Sequence, residues 1–302
     1  AKTPSSTQIT PTRTQLIEAV TPTAQATPIP TQTNTPLPYP PATLTALPTA
    51  TTAPPPVNWK DLPVIPEVSL GMKDIYLKGL QAGNNPNAFS KIGDCESQPT
   101  WFLGDFDAGP RYYSLGEFTD LQPLIDAFSG SFSRQSLASG RGFSTSNALT
   151  PLWADPKLCE AGETPLDCEY RIHKPSFALI MLGTNDVHHL DKFEPQFRAI
   201  LEKTIAHGII PIVSTKADNL EGDESVNASM VRIAQEYGVP VWNFWRAVQS
   251  LPDHGLQEDG AHITWSPNRF DDPDAMQRGW PIRNLTALQS LDAVWRTVTG
   301  GN

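Results

Sequence analysis

The fold of this chain is decided by residues 177–186, which read FALIMLGTND. The six apolar residues 177–182 form an unbroken run, as expected for a strand that is buried on both faces of a parallel sheet. The polar segment GTND, residues 183–186, follows at once. Sites of such sheets form at the carboxyl ends of the strands, so this junction predicts a functional site as well as a fold.

Helices and strands are expected to alternate on both sides of this run. Apolar residues at helical spacing predict helices at Met72–Gln81, Leu121–Phe128, Phe193–His207, Val226–Tyr237 and Asn284–Val298. Short apolar runs predict further strands at Phe89–Ile92, Ile209–Val213 and Val239–Trp242. This alternation indicates an α/β fold, a three-layer αβα sandwich with a mainly parallel central sheet.

The first 57 residues differ in composition from the rest of the chain. They hold 13 of the 30 prolines and 16 threonines, and their only charges are Lys2, Arg13 and Glu18. Such a segment cannot bury enough apolar surface to offset its chain entropy, so residues 1–57 are expected to be a disordered Thr/Pro-rich linker or stalk. Residues 58–302 are then one domain. A stalk implies an attachment at its far end, such as a cell envelope, and the start at Ala1 without methionine is typical of a processed chain.

The charge and the hydropathy of the chain exclude several classes of partner. Residues 58–302 carry a net charge of −11, which disfavours nucleic acid and anionic lipid surfaces, although acidity of this size also serves solubility alone. No apolar run approaches the length of a membrane span, so no integral membrane segment is expected. There is no P-loop or dinucleotide fingerprint, and the adjacent His188 and His189 make an unconvincing metal site. Neither a cofactor nor a metal is expected.

The three cysteines divide into a pair and a single residue. Cys159 and Cys168 flank the loop EAGETPLD, which a disulfide closes easily in an oxidising, extracellular compartment; two free thiols are the alternative. Cys95 remains unpaired. It directly follows the predicted strand Phe89–Ile92 and Gly93-Asp94, which places it at a strand end like the GTND segment.

Three polar segments carry the candidate chemistry: GDC at 93–95, GTND at 183–186 and DGAH at 259–262. Each is weak alone, but in this order and placement they resemble the SGNH hydrolases, also called the GDSL esterase/lipase superfamily. The resemblance spans roughly residues 89–298. It implies a flavodoxin-like αβα fold and the hydrolysis of carboxylic esters.

The resemblance also implies a catalytic triad. Cys95 stands where the family has its nucleophilic serine, His262 corresponds to the general base, and Asp259 to the residue that orients and stabilises the imidazolium. A position at a helix N-terminus near His262 is expected to favour the thiolate of Cys95. Ser97, two residues further on, is the alternative nucleophile.

An oxyanion hole follows from the same comparison. Its expected donors are the backbone N–H groups of Cys95 and Gly142 and the side-chain amide of Asn185. Gly140 is the alternative to Gly142. Trp101, Phe102 and Phe106 are expected to pack in the core, with a place in an acyl or sugar pocket as the alternative.

Cys95 leaves two classes of function open. The first is an extracellular, secreted or cell-surface hydrolase that removes ester-linked acyl groups, such as acetyl, from small molecules or polysaccharides, or transfers them to a sugar. The second is a catalytically inactive module that binds glycans or acyl groups, because a sulfur in a hole shaped for oxygen can misplace the attack.

Overall fold

The computed structural model describes residues 58–300, and the predicted stalk, residues 1–57, lies outside them. The described α-helices are α1 (Met72–Gln81), α2 (Asp105–Ala108), α3 (Gln122–Ala127), α4 (Thr145–Leu149), α5 (Pro165–His173), α6 (Leu190–Ala206), α7 (Ser225–Glu236), α8 (Phe244–Val248) and α9 (Gly279–Thr299). The strands are β1 (Asn85–Gly93), β2 (Tyr113–Ser114), β3 (Pro175–Met181), β4 (Ile210–Ser214), β5 (Val241–Trp242) and β6 (Asn268–Arg269).

Four of the strands form the central sheet, in the order β1-β3-β4-β5 with every pair parallel. The short strands β2 and β6 pair separately, also in parallel. In the central sheet Phe89 lies opposite Phe177, and Phe177 opposite Ile210. The strand predicted from residues 177–182 is thus an interior strand of a parallel sheet, and the predicted α/β fold is confirmed.

Helices cover both faces of this sheet. Every residue of β3 is buried, as an interior strand between two helical layers requires. Helices α1 and α9 pack together as one group, and α4 to α7 form a second group of neighbours. On the first face the ring of Tyr76 from α1 stacks on Phe177 at 5.8 Å between centroids. No helix within residues 58–300 is long and apolar enough to cross a membrane.

The boundaries of the elements differ from the predicted ones mainly at their N-termini. α1 matches the prediction to the residue, but α9 starts at Gly279, five residues before the predicted start at Asn284. Pro281 lies in the first turn of α9, where proline is tolerated because its missing N–H has no partner there. β1 likewise starts at Asn85, four residues before Phe89.

The predicted disulfide between Cys159 and Cys168 is present, and Cys95 is free. The bridge ties the loop that precedes α5 to the second turn of that helix. The loop is short, since the two cysteines are nine positions apart.

The double variant Cys159→Ser/Cys168→Ser is expected to lower the free energy of unfolding by about 2–3 kcal/mol, because the unfolded chain regains the freedom of a closed loop of this length. Urea unfolding followed by tryptophan fluorescence measures the change. Dithiothreitol should move the wild type towards the variant and leave the variant unchanged. An equal midpoint for the oxidised wild type and the variant would contradict a stabilising bridge.

Candidate active site

The turn that carries Cys95 begins where β1 ends. Cys95–Ser97 form a single 3-10 turn, capped by the Asp94 carboxylate, which accepts the backbone N–H of Glu96 at 3.0 Å. Gly93 has to be a glycine, because a Cβ at this position would lie 2.1 Å from the Ser97 hydroxyl oxygen and 2.6 Å from the carbonyl oxygen of Met181. The expected helix N-terminus at Cys95 is therefore only a three-residue turn, too short for an appreciable helix dipole.

Ser97 lies on the inner side of this turn. It is fully buried, and its hydroxyl has no hydrogen-bond partner within residues 58–300. It does not line the cleft into which Cys95 opens. The geometry gives no support to Ser97 as the nucleophile.

Cys95, His262 and Asp259 form a continuous chain of contacts. The Cys95 Sγ lies 3.7 Å from the His262 Nε2, within hydrogen-bond reach for sulfur. The His262 Nδ1 lies 2.6 Å from the Asp259 Oδ2, and the Asp259 Oδ1 accepts the backbone N–H groups of Ala261 and His262 at 3.0 Å each. A proton can pass from the thiol to an imidazole whose other nitrogen is held by a carboxylate, which is the arrangement of a nucleophile with its general base.

The predicted donors Gly142 and Asn185 line the same cleft as the thiol. Asn185 lies in the 3-10 turn Thr184–Asp186 that follows β3, and its Nδ2 donates to the Phe143 carbonyl at 3.1 Å. Its contact with the Asp94 carboxylate is longer, 3.5 Å, so the second N–H of the amide is only weakly engaged. Among residues 58–300, the backbone N–H groups of Cys95 and Gly142 donate to no other residue.

The alternative glycine, Gly140, has its N–H in use. It donates to the carbonyl oxygen of Gly93 at 3.1 Å, so it joins this loop to the end of β1. Gly142 instead lines the cleft together with Cys95 and Asn185, at a backbone φ of +67° that favours glycine. The geometry favours Gly142 over Gly140 as a backbone donor.

Asp186 holds the two segments that carry Gly142 and Asn185. Its Oδ1 accepts the backbone N–H of Thr145 at 3.0 Å and the Thr145 hydroxyl at 2.5 Å, and its Oδ2 accepts the N–H of Gly183 at 3.2 Å. Its role could be read from the sequence only through its place in the GTND segment. The carboxylate fixes the start of α4 against the end of β3, which preorganises the donors on either side.

The His262–Asp259 pair is polarised towards the ionised form. The backbone N–H of Ala261 and the hydrogen bond from His262 lower the pKa of Asp259 to about 2. The hydrogen bond to Asp259 raises the pKa of His262 above its ordinary value, against a smaller opposing effect of burial, and the negative charge of Glu96 adds to the rise. His262 therefore becomes neutral, and able to act as a base, only at a higher pH than a free imidazole.

The thiol of Cys95 is not activated in the resting protein. Burial raises its pKa, and the carboxylates of Asp94 and Glu96 raise it further. Burial also raises the pKa of Asp94, to about 7. The expectation of a favoured thiolate is wrong for this reason: the groups that flank Cys95 are acidic and not cationic. The surroundings of Cys95 therefore favour the thiol over the thiolate.

Glu96 ties the turn of Cys95 to the loop of His262. Its Oε1 accepts the backbone N–H of Ile263 at 2.8 Å, and its Oε2 lies 3.2 Å from the Arg283 guanidinium of α9. The same guanidinium nitrogen donates to the Glu96 carbonyl at 3.1 Å. This tether was not identified from the sequence, because its members are far apart along the chain and no motif contains them.

Glu96→Gln is expected to lower the pKa of His262, since it removes a negative charge that raises this pKa while the amide oxygen still accepts the Ile263 N–H. Titration of the His262 ring by proton NMR measures the shift, with His262→Gln to assign the resonance. Glu258→Gln, at a nearby exposed carboxylate, is the control and should shift the pKa less. An equal pKa in wild type and Glu96→Gln would contradict the prediction.

The thiol opens into a cleft of about 680 Å³. Its lining residues are Cys95, Glu96, Gln98, Thr100, Trp101, Arg141, Gly142, Asn185, Gln257, His262, Trp265 and Trp280. Phe102 and Phe106 pack in the core as expected, but Trp101 is 48% exposed and faces the cleft, which corrects the expectation that it is a core residue. Trp265 and Trp280 were not singled out from the sequence.

Comparison with known proteins gives distant similarities only. No protein-family model matches the sequence, and no curated protein matches it significantly. A psychrotrophic esterase structure from Pseudoalteromonas sp. matches at 17% identity and a TM-score of 0.42, over 68% of this chain and 97% of that one. An acetylxylan esterase structure from Geobacillus stearothermophilus matches at 15% identity and a TM-score of 0.43, over 69% of this chain and 95% of that one. A GDSL-like lipase from Bacteroides thetaiotaomicron matches at 14% identity and a TM-score of 0.40, over 74% of this chain and 97% of that one.

Two of these structures are described as esterases and the third as a GDSL-like lipase. Their identities and TM-scores are too low to transfer an activity, so the function of this chain rests on its own residues.

Proposed function

We propose that this protein is a carboxylic ester hydrolase that releases acyl groups, with acetyl as the simplest case, through Cys95, His262 and Asp259. The proposal rests on one observation, the contact chain from the Cys95 thiol through the His262 ring to the Asp259 carboxylate at the edge of an open cleft. The thiol and the His262–Asp259 pair come from two segments that lie 167 positions apart in the sequence.

The chemistry follows from the charge states of these groups. Neutral His262 accepts the proton of the thiol while Sγ attacks the ester carbonyl carbon, and the N–H groups of Cys95 and Gly142 and the Asn185 amide hold the oxyanion that forms. When the oxyanion collapses, the alcohol leaves with the proton from the imidazolium, and a thioester remains. Water, deprotonated by His262, then attacks the thioester and releases the acid and the thiol.

Asn185→Ala is expected to lower kcat/KM for p-nitrophenyl acetate by about 100-fold or more, the usual effect of losing one oxyanion donor. Release of p-nitrophenol by the full chain measures it. Asn87→Ala, at the opposite end of β1 from Cys95, is the matched control and should keep the wild-type rate. Absence of turnover by the wild type between pH 6 and 9 would overturn the proposal.

The second candidate is a binding module that keeps the cleft without catalysis. The raised pKa of the Cys95 thiol favours it, because a neutral thiol is a weak nucleophile. Alkylation by iodoacetamide separates the two candidates. A thiol whose proton His262 accepts should be labelled near neutral pH, and more slowly after His262→Gln, whereas an inert thiol should react in neither protein until its own pKa is approached.

We also propose that the protein works outside the cell, on polysaccharide or small-molecule esters, and that residues 1–57 attach it to the cell envelope. The Cys159–Cys168 disulfide supports an oxidising compartment. The threonine and proline content of residues 1–57 supports a spacer. Fractionation of the native cells tests both: recovery from the envelope with the bridge intact agrees with both, recovery from the medium contradicts the attachment, and a reduced cytoplasmic protein contradicts both.

A further inference from the structure

Two tryptophan side chains on the cleft are largely open to solvent. Trp101 is 48% exposed and Trp265 is 61% exposed, and both line the cleft that holds Cys95 and His262. Indole is the largest side chain with an apolar face, and its burial contributes strongly to stability and binding. Two of them left uncovered beside a nucleophile indicate a surface that a ligand covers.

Both tryptophans belong to the segments that carry the reacting groups. Trp101 follows Cys95 by six residues, and Trp265 follows His262 by three. Their backbones are anchored: the Trp101 N–H donates to the Gln98 carbonyl at 3.0 Å, and Thr264, the neighbour of Trp265, donates through its N–H to the Gly255 carbonyl at 2.7 Å. Because both rings line the cleft that holds Cys95 and His262, a ligand on them lies in the same cleft as the nucleophile and the base.

Trp101 has a rigid support beneath it. Its ring stacks on Trp280, with 6.2 Å between centroids and 23° between planes. Trp280 is only 4% exposed, and the Arg283 guanidinium lies over its ring at 5.4 Å. A side chain held in this way loses little conformational freedom when a ligand binds, so the exposed part of Trp101 is a preorganised contact surface.

Polar side chains without partners stand among these rings. Gln98, Thr100 and Arg141 line the cleft, and among residues 58–300 their side chains form no hydrogen bond or ion pair with another residue. An aliphatic acyl chain has no polar groups along its length that could form hydrogen bonds with these side chains. A pyranose fits both features, because one face of the ring presents C–H groups to an aromatic surface while its hydroxyls project around the edge to polar groups.

We propose that Trp101 and Trp265 form a saccharide subsite, which holds the sugar part of the substrate so that its ester group lies at Cys95. The place of the ester in this statement rests on the proposed hydrolase function. The binding of the sugar does not depend on that function, since the rings and the polar groups can hold a sugar whether or not an ester is hydrolysed. The two statements can therefore fail separately.

The first test measures binding without catalysis. The full chain with Cys95→Ala is applied to an array of neutral, acidic and N-acetylated oligosaccharides, and the best ligand is titrated by isothermal calorimetry. Trp101→Ala and Trp265→Ala are each expected to weaken its binding by about tenfold, because each removes an aromatic face on which the C–H face of a pyranose would pack. Trp153→Ala removes a comparably exposed tryptophan, 55%, that does not line the cleft, and should bind as tightly as its parent.

A second measurement places the sugar relative to the ester. With active Cys95, each cleft variant should lose more kcat/KM on an acetylated form of the best oligosaccharide than on p-nitrophenyl acetate, mainly through KM. Absence of binding to every oligosaccharide, unchanged affinity in both cleft variants, or tighter binding of dodecanoate than of any sugar would overturn the subsite. Sugar binding without turnover of either ester would keep the subsite and reject the hydrolase.

Discussion

Replacing Cys95 with alanine is expected to lower kcat/KM for p-nitrophenyl acetate by about 10⁴-fold or more, because loss of a nucleophile removes the covalent route and leaves only the oxyanion donors and binding. The measurement is p-nitrophenol release with enzyme in excess, so that slow rates stay visible. Equal rates in wild type, Cys95→Ala and Cys95→Ser would remove Cys95 from the mechanism. Thermal unfolding of each variant controls for loss of fold.

Cys95→Ser separates the role of the nucleophile from the role of the base. Serine attacks only with help from His262, so its rate should rise with pH and level off once His262 is neutral. The raised pKa of the Cys95 thiol means that thiolate still accumulates above pH 8, so the wild-type rate should continue to rise there. A wild-type profile that levels off together with that of the serine variant would contradict a thiol with a raised pKa.

The covalent intermediate gives an independent readout of the same prediction. Wild type quenched in acid during turnover should carry one acetyl group, found by mass spectrometry on the peptide that contains Cys95. Because Cys159 and Cys168 are joined, Cys95 offers the single free thiol of the chain. Acetylation of another residue, or none while the ester is consumed, would point to a different nucleophile.

The parts of this site that could be predicted are those determined by residues that are neighbours in the sequence. The strand and the GTND segment could be read together, because an apolar run followed by polar residues encodes both a buried strand and the functional end of a parallel sheet. Cys95, Asn185 and His262 were placed in one site through the resemblance of three short segments to the SGNH hydrolases. The pairing of Cys159 with Cys168 followed from a short loop in the same way.

The parts that could not be predicted depend on contacts between distant segments. The hydrogen bond from Ile263 to Glu96 joins residues 167 positions apart, and no local sequence pattern predicts it. The raised pKa of Cys95 has the same origin, since burial dominates it and burial is a property of the assembled fold. Trp101 looked like a core residue because aromatic side chains usually are, and only the folded chain leaves it open.

The second large effect is expected at Glu169, a carboxylate of α5 that is completely buried. Its Oε1 accepts the Ser90 hydroxyl at 2.5 Å and the Arg134 guanidinium at 2.7 Å, and its Oε2 accepts the backbone N–H of Leu137 at 2.8 Å. Glu169 therefore joins α5 and β1 to the segment that leads to Gly142. That segment continues along the end of β1, where the Ala138 carbonyl accepts the Gly93 N–H at 3.2 Å.

Glu169→Leu is expected to lower the free energy of unfolding by about 3–5 kcal/mol, because it leaves a partly buried arginine, a buried hydroxyl and a backbone N–H without their acceptor. Urea unfolding measures the loss. Glu169→Gln keeps an acceptor oxygen and should lose less, and Glu160→Leu, at a side chain 74% exposed, should change the free energy by no more than about 0.5 kcal/mol.

Hydrogen exchange tells whether this loss reaches the site. If Glu169 holds the segment beside β1, exchange of the Leu137 and Gly140 amides should accelerate in Glu169→Leu beyond the change in global stability, while amides of α7, on the far side of the sheet from β1, follow the global change alone. Uniform acceleration would mean that Glu169 stabilises the domain without ordering the loop of Gly142. Local acceleration would mean that one buried carboxylate both stabilises the fold and positions a backbone donor of the oxyanion hole.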